Sequence, residues 1–168
     1  MIGPVRHSMR KLFGTIDRSV ELLVATIFGA MVLIGFFQVF SRFLLNKTPS
    51  WSEEIQIFGH IWLVFLAIPI AYRRGAHFTV EAIRRQYSLG MHKVFDLMVE
   101  FLWAGFAVVT AWYSYRVSLV AGRSVSPGLE IPMSYPYYGM IIGSVYLLLV
   151  VLRRVCGEPP ESPPEPAA

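Results

Sequence analysis

Leu22 to Ser41 reads LLVATIFGAMVLIGFFQVFS, twenty residues without a charge. A helix rises about 1.5 Å per residue, so this stretch covers about 30 Å, the thickness of a bilayer's hydrocarbon layer. The same reading applies three more times. Ile55 to Tyr72 carries no charge, Val94 to Tyr115 carries only Asp96 and Glu100 near its start, and Ile131 to Leu152 carries none. Four such stretches in 168 residues leave almost nothing for a soluble domain. Hydrophobic residues make up 55% of the chain and charged residues 15%, against about 25% charged in a soluble domain.

The expected fold is therefore an all-α membrane protein with four transmembrane helices, spans about 22–41, 55–72, 94–115 and 131–152. Around this membrane domain (20–155) lie a basic N-terminus (1–19) and a Pro-rich tail (156–168). The tail's EPPESPPEPAA cannot pack a core and is expected to be disordered. The first apolar stretch is too long for a signal peptide and runs into Arg42, so it reads as a retained span. Cys156 is the sole cysteine, which excludes an internal disulfide and reads as a bland thiol.

Charge placement sets the orientation. Eleven of the fifteen Lys and Arg residues lie at the termini or in the second loop: Arg6, Arg10, Lys11, Arg18, Arg73, Arg74, Arg84, Arg85, Lys93, Arg153 and Arg154. Only Arg42, Lys47, Arg116 and Arg123 lie in the first and third loops. The positive-inside rule then places both termini in the cytoplasm. The net charge of +4 comes without a basic face interleaved with aromatics, so nucleic acid is not an expected partner.

The connections carry the finer signals. Thr48-Pro49-Ser50-Trp51-Ser52-Glu53-Glu54 reads as a helix start. Either Ser50 caps with Glu53 closing a capping box, or Thr48 caps with Pro49 in the first helical position. Glu53 and Glu54 then sit in the first turn, where the helix dipole favours carboxylates. Dipole and capping alone account for them; a contact face is the alternative. Glu53, Gln56 and His60 share one helical face that continues to Leu63 and Ala67. Such a polar stripe entering a membrane should face protein or a water-filled cavity. Trp51 fits an interfacial anchor, and Arg42 ends the first span within reach of a carboxylate or a lipid phosphate.

Residues 76–86, AHFTVEAIRRQ, are too polar to cross and suit a short helix lying at the inner interface, with Arg84 and Arg85 near headgroups. His77 there reads as a solvated or capping residue. Asp96 and Glu100 lie four residues apart at the inner end of the third span. They read either as interfacial carboxylates paired with Lys93 or a loop arginine, or as a proton- or sodium-coupling site. The interfacial reading is the expectation. Gly139 and Gly143, Ala25 and Gly29, and Ala107 and Ala111 are small pairs at the spacing that lets helix backbones approach. Pro132 and Pro136 fall where the fourth helix begins.

No nucleophile elbow, P-loop or metal-ligand spacing occurs, so the chain is not read as an enzyme and no cofactor is expected. Of His7, His60, His77 and His92, only His60 lies in a span, which argues against bis-histidine haem ligation within the chain. An anchor subunit of a quinone- or haem-linked oxidoreductase is the alternative reading. A small stand-alone exporter would need a mid-span carboxylate, and none is present.

Several of these pieces occur together in one family. Arg42-Phe43, then Trp51-Ser52-Glu53-Glu54, then Ile61-Trp62-Leu63-Val64-Phe65-Leu66, then Arg73-Arg74-Gly75-Ala76-His77-Phe78-Thr79-Val80-Glu81, and finally Leu129-Glu130-Ile131-Pro132-Met133, resemble the small membrane subunit of tripartite ATP-independent periplasmic (TRAP) transporters. The resemblance covers roughly residues 18–153. Ala67 stands where the pattern has a glycine, and Ser134-Tyr135 replaces a tryptophan. The resemblance implies a bacterial inner-membrane protein that associates with a large polytopic permease, while a periplasmic binding protein delivers the solute. The solute would be an organic acid such as a C4-dicarboxylate, a keto acid or a sialic acid, driven by an ion gradient. The small subunit would brace the static part of the permease. Trp51, Glu53, Glu54, Gln56 and His60, with Gly139 and Gly143, are then the expected partner interface. Arg42, Arg73, Arg74, Arg84 and Arg85 are assigned to phospholipid headgroups or partner carboxylates. The fold expectation also includes short interfacial helices in the first and second loops.

Overall fold

The computed structural model describes residues 3–47, 49–74 and 89–156. They form four helices: α1 (Gly3–Leu44), α2 (Ser50–Arg73), α3 (Leu89–Ala121) and α4 (Tyr135–Val155). Each is long and apolar enough to cross a membrane. Helices α4 and α2 pack together, α3 packs on α4, and α1 packs along α2. The starts of α1 and α3 and the ends of α2 and α4 share one end of the bundle, here the terminal end. The opposite, loop end carries residues 45–47, 49 and 122–134.

The packing is the reverse of a soluble protein's. Many large apolar side chains face outward, such as Phe36 at 72% exposure and Phe101 at 77%. Buried positions include Ser41, Ser52, Ser114, Ser118, Ser134 and Ser144. Lipid is as apolar as leucine, so helices gain little by hiding leucine from it. Close packing of small residues and interhelical hydrogen bonds hold such a bundle instead. The apolar core (Ile70, Tyr72, Ala107, Tyr146, Leu147, Val150, Val151) lies in the terminal half, where Val20, Val24 and Trp103 also join it.

The α2–α4 crossing shows how the chain achieves close approach. A Cβ on Gly139 would lie 2.7 Å from Cγ and Cδ2 of Trp62. A Cβ on Gly143 would run into the Phe65 carbonyl. Pro69, buried inside α2, has no N–H to give to that carbonyl four residues back. A backbone oxygen left without its helical donor thus meets a residue that has no side chain. These glycines were expected at a partner interface; the fold uses both inside the chain.

Several boundaries differ from expectation. Helix α1 begins at Gly3, far ahead of the first apolar stretch. The expected capping box is not formed: Pro49 is the N-cap, no side chain caps the helix, and Ser50 is already helical. Ser52 Oγ instead donates to the Pro49 carbonyl at 2.7 Å. No separate short helix precedes α2 in 45–47 or 49. The fourth helix starts at Tyr135, not Ile131. Residues 122–134 are held back as a turn in which Val125 bridges Pro132, and Pro136 takes the first turn of α4, where its missing N–H costs nothing. The expected second-loop helix with Arg84, Arg85 and His77 lies outside the described residues.

Candidate functional site

Two polar assemblies stand at opposite ends of the bundle. At the loop end, Glu54 turns away from its own helix to hold the α3–α4 connection. Its Oε1 accepts the Gly128 N–H at 2.9 Å and its Oε2 accepts the Leu129 N–H at 2.8 Å. Ser126 Oγ also donates to Oε2. The connection is shaped for this. Ser126 N–H donates to the Ile131 carbonyl at 2.9 Å, Glu130 N–H to the Ser126 carbonyl at 3.0 Å, and Met133 N–H to the Ser124 carbonyl at 3.0 Å. Glu130 takes a left-handed φ of 54° to close the turn. Gly128 comes so near α2 that a Cβ would lie 2.9 Å from Trp51 N and Ser50 C. One carboxylate therefore satisfies donors that the turn leaves outside its own backbone pattern.

Glu54→Gln keeps the size but offers one acceptor oxygen to donors approaching both. The amides of Gly128 and Leu129 should then exchange with deuterium roughly tenfold faster or more, while the α2 and α4 amides keep their rates. Hydrogen exchange with peptide-level mass spectrometry in detergent reads this directly. Unchanged exchange would remove Glu54 from its anchoring role.

Beside it, Glu53 and Gln56 meet α1. Gln38 Nε2 donates to Glu53 Oε1 and Gln56 Nε2 donates to Gln38 Oε1, both at 3.5 Å. Trp51 stacks on Phe37 with ring centroids 5.8 Å apart. Trp62 Nε1 donates to the Tyr135 carbonyl at 3.1 Å, tying mid-α2 to the start of α4. The stripe expected over Glu53, Gln56 and His60 is thus divided. Gln56 turns to α1, while His60 is exposed on the outside of α2. Arg42 is exposed and makes no ion pair among the described residues.

The terminal end holds a network that the sequence reading missed. Asp17 on α1 is buried. Its Oδ2 lies 2.6 Å from Arg73 Nη1 and 3.1 Å from Arg153 Nη1. Its Oδ1 accepts from Tyr146 Oη at 2.7 Å. Glu21, one turn on, pairs with Arg73 and, at 2.9 Å, with Arg74. Glu100 on α3 accepts from Tyr72 Oη and pairs with Arg154 Nε at 2.9 Å. The Arg153 guanidinium also stands 3.7 Å above the Phe13 ring, a cation–π contact. Carboxylates from α1 and α3 are thereby matched to arginines and tyrosines of α2 and α4. Arg73 and Arg74 find their carboxylates within this chain, and the charged partner of Glu100 among the described residues is Arg154, because α4 lies against α3; pairing with Lys93, Arg84 or Arg85 falls outside the described residues. The available signal was the acidic pair Asp17 and Glu21 in an otherwise basic segment, with Arg-Arg pairs closing α2 and α4. The Asp96, His92 and Lys93 side chains lie outside the described residues.

Among the described residues, no three His, Cys, Asp or Glu side chains group so as to hold a metal ion. Both assemblies join helices; neither presents a cluster of reactive groups in a cleft.

The family described as tripartite ATP-independent periplasmic transporters, DctQ component, matches residues 31–158. A protein of Haemophilus influenzae named as a TRAP transporter small permease protein is 22% identical over 150 residues, covering 88% of this chain and 91% of that one. An uncharacterized protein of Sinorhizobium fredii is 25% identical over 154 residues, covering 87% of this chain and 28% of its own length. An isethionate TRAP transporter permease protein of Oleidesulfovibrio alaskensis is 23% identical over 158 residues, covering 88% of this chain and 25% of its own. The chain therefore spans about a quarter of two of these relatives and nearly all of the other.

Proposed function

The chain belongs to the DctQ component of the tripartite ATP-independent periplasmic transporters, and from that premise we propose that it braces a large permease subunit during ion-gradient-driven uptake of an organic acid. It is a small permease subunit, a multi-pass inner-membrane protein and a transport component rather than an enzyme.

The observation that carries the bracing role is the state of the buried carboxylates. A group that binds and releases a coupling ion must be able to exchange partners. Asp17 and Glu100 are instead held by arginine and tyrosine side chains from neighbouring helices. Their work is to fix four helices in one arrangement, which suits a static scaffold. The solute and ion sites then belong to the large polytopic permease, and the solute arrives on a periplasmic binding protein. The excess of Lys and Arg at the terminal end supports a cytoplasmic location for it by the positive-inside rule. The loop end, with Trp51 and Glu53, then faces the periplasmic side, and Arg42 lies where phospholipid headgroups meet it.

Reconstitution tests this reading. Vesicles holding this chain alone should accumulate none of a panel of radiolabelled carboxylates and sulfonates. Vesicles holding the chain, its large permease and the binding protein should accumulate one under an imposed ion gradient. Leaving out this chain should lower that uptake by at least about tenfold. Transport by the chain alone, or full uptake without it, would overturn the reading.

A further inference from the structure

The outward face of α2 differs from the rest of the bundle's surface. Gln56 and Gly59 turn to α1, where Gly59 meets Met31. Trp62 and Phe65 turn to α4. The remaining side carries Ile57 and His60, both exposed and neighbours at helical spacing, with exposed Ala71 on the same side three turns further on. His60 lies ten residues beyond Ser50, about 15 Å along the helix axis. That depth is past the headgroups and within hydrocarbon. No hydrogen bond or ion pair reaches His60 among the described residues.

A neutral imidazole carries one N–H donor and one acceptor nitrogen. Lipid chains can satisfy neither, so such a residue turns toward protein. The outer faces of α1 and α3 are by contrast what lipid asks for, with Phe28, Leu33, Phe36 and Phe40 on α1 and Phe101, Leu102 and Val109 on α3. The apolar outside is thus interrupted by a histidine on α2, with apolar Ile57 one turn from it.

We propose that His60 hydrogen-bonds a polar side chain on a membrane-spanning helix of the large permease, making the Ile57–His60 face of α2 the seam between the two subunits. The inference rests on the scaffold reading given above. The occupant is the large permease rather than a second copy of this chain because, in the Oleidesulfovibrio permease, the part matching this chain is a quarter of one longer polypeptide. There, a unit of this kind is covalently joined to a larger permease body. The partner chemistry is a hydroxyl, amide or carboxyl group about 15 Å from the membrane face, in apolar surroundings that fit Ile57.

The test uses the full complex in native membranes. A benzophenone maleimide attached to Ile57→Cys, in a Cys156→Ser background, should photo-crosslink to the large permease. The same probe on Phe101→Cys, on the lipid-facing side of α3, should not. His60→Leu should lower recovery of the large permease with the tagged chain roughly three- to tenfold, and His60→Gln should restore most of it. Neither change should alter the melting of the isolated chain, because His60 is exposed and no hydrogen bond or ion pair holds it among the described residues. Adducts at Ile57→Cys with lipid only, or with a second copy of this chain, would overturn the seam, as would full recovery with His60→Leu. If the unmodified chain brings down no large permease at all, the scaffold reading itself falls; if it does while the α2 probe labels lipid, the inference alone falls.

Discussion

Replacing Gly143 with leucine should force α2 and α4 apart and cost about 3 kcal/mol, the upper end of what overpacking costs in a close-packed contact. The reason is what stands opposite. A Cβ at this position would meet the backbone carbonyl and carbon of Phe65, and backbone cannot swing aside as a flexible side chain can. Even Gly143→Ala should destabilise. Gly29 and Gly105 provide controls within the same protein, because nothing lies within 4 Å of a Cβ built on either. Gly29→Leu should change stability by no more than about 0.5 kcal/mol. Unfolding the purified chain with increasing SDS in mixed micelles, followed by circular dichroism, separates the two cases. Equal midpoints for the Gly143 and Gly29 variants would mean that the α2–α4 crossing is not held by close approach.

The other large effect belongs to Asp17. Asp17→Asn keeps the shape but leaves Arg73 and Arg153, whose side chains are 15% and 11% exposed, deprived of their shared countercharge. Breaking one partner out of a buried ion pair costs about 3–5 kcal/mol, since the remaining charge stays desolvated. Glu21 still neutralises part of Arg73, so the loss should fall toward the lower figure. Removing the stranded charge should restore part of it. Asp17→Asn with Arg153→Met should therefore cost less than the sum of the two single changes, the mark of direct coupling. Additive losses in the same SDS unfolding measurement would show that the network is not one unit.

What could be read from the sequence follows physical range. The spans were legible because hydrophobicity is summed over twenty neighbouring residues, and a bilayer demands that sum regardless of what packs where. Gly139 and Gly143 were legible as a helix contact from their spacing. That they face Trp62 and Phe65 inside the chain, rather than a partner, depends on the order in which helices lie side by side, which no local pattern encodes. Glu54 could be seen as a first-turn carboxylate, but its donors Ser126, Gly128 and Leu129 lie over seventy residues away. The start of α4 was misplaced by four residues because Ile131 and Pro132 read as well in a helix start as in the turn where Val125 meets Pro132. The expected cap failed for a similar reason: Ser50, Glu53 and Glu54 suit a self-contained helix start, whereas the fold directs Glu54 outward to a different segment.

The lengths of the helices carry one more consequence. The span in α1 runs 32 residues, Phe13–Leu44, and that in α4 runs 21, Tyr135–Val155, about 48 Å against about 31 Å. The difference lies in charged turns: the uncharged stretch of α1, Leu22–Ser41, is itself about 30 Å long, so the turns carrying Asp17, Arg18 and Glu21 continue past the hydrocarbon. This overhang brings the Asp17 network to the headgroup layer, so the charges that lock the helices together need not be dissolved among lipid chains.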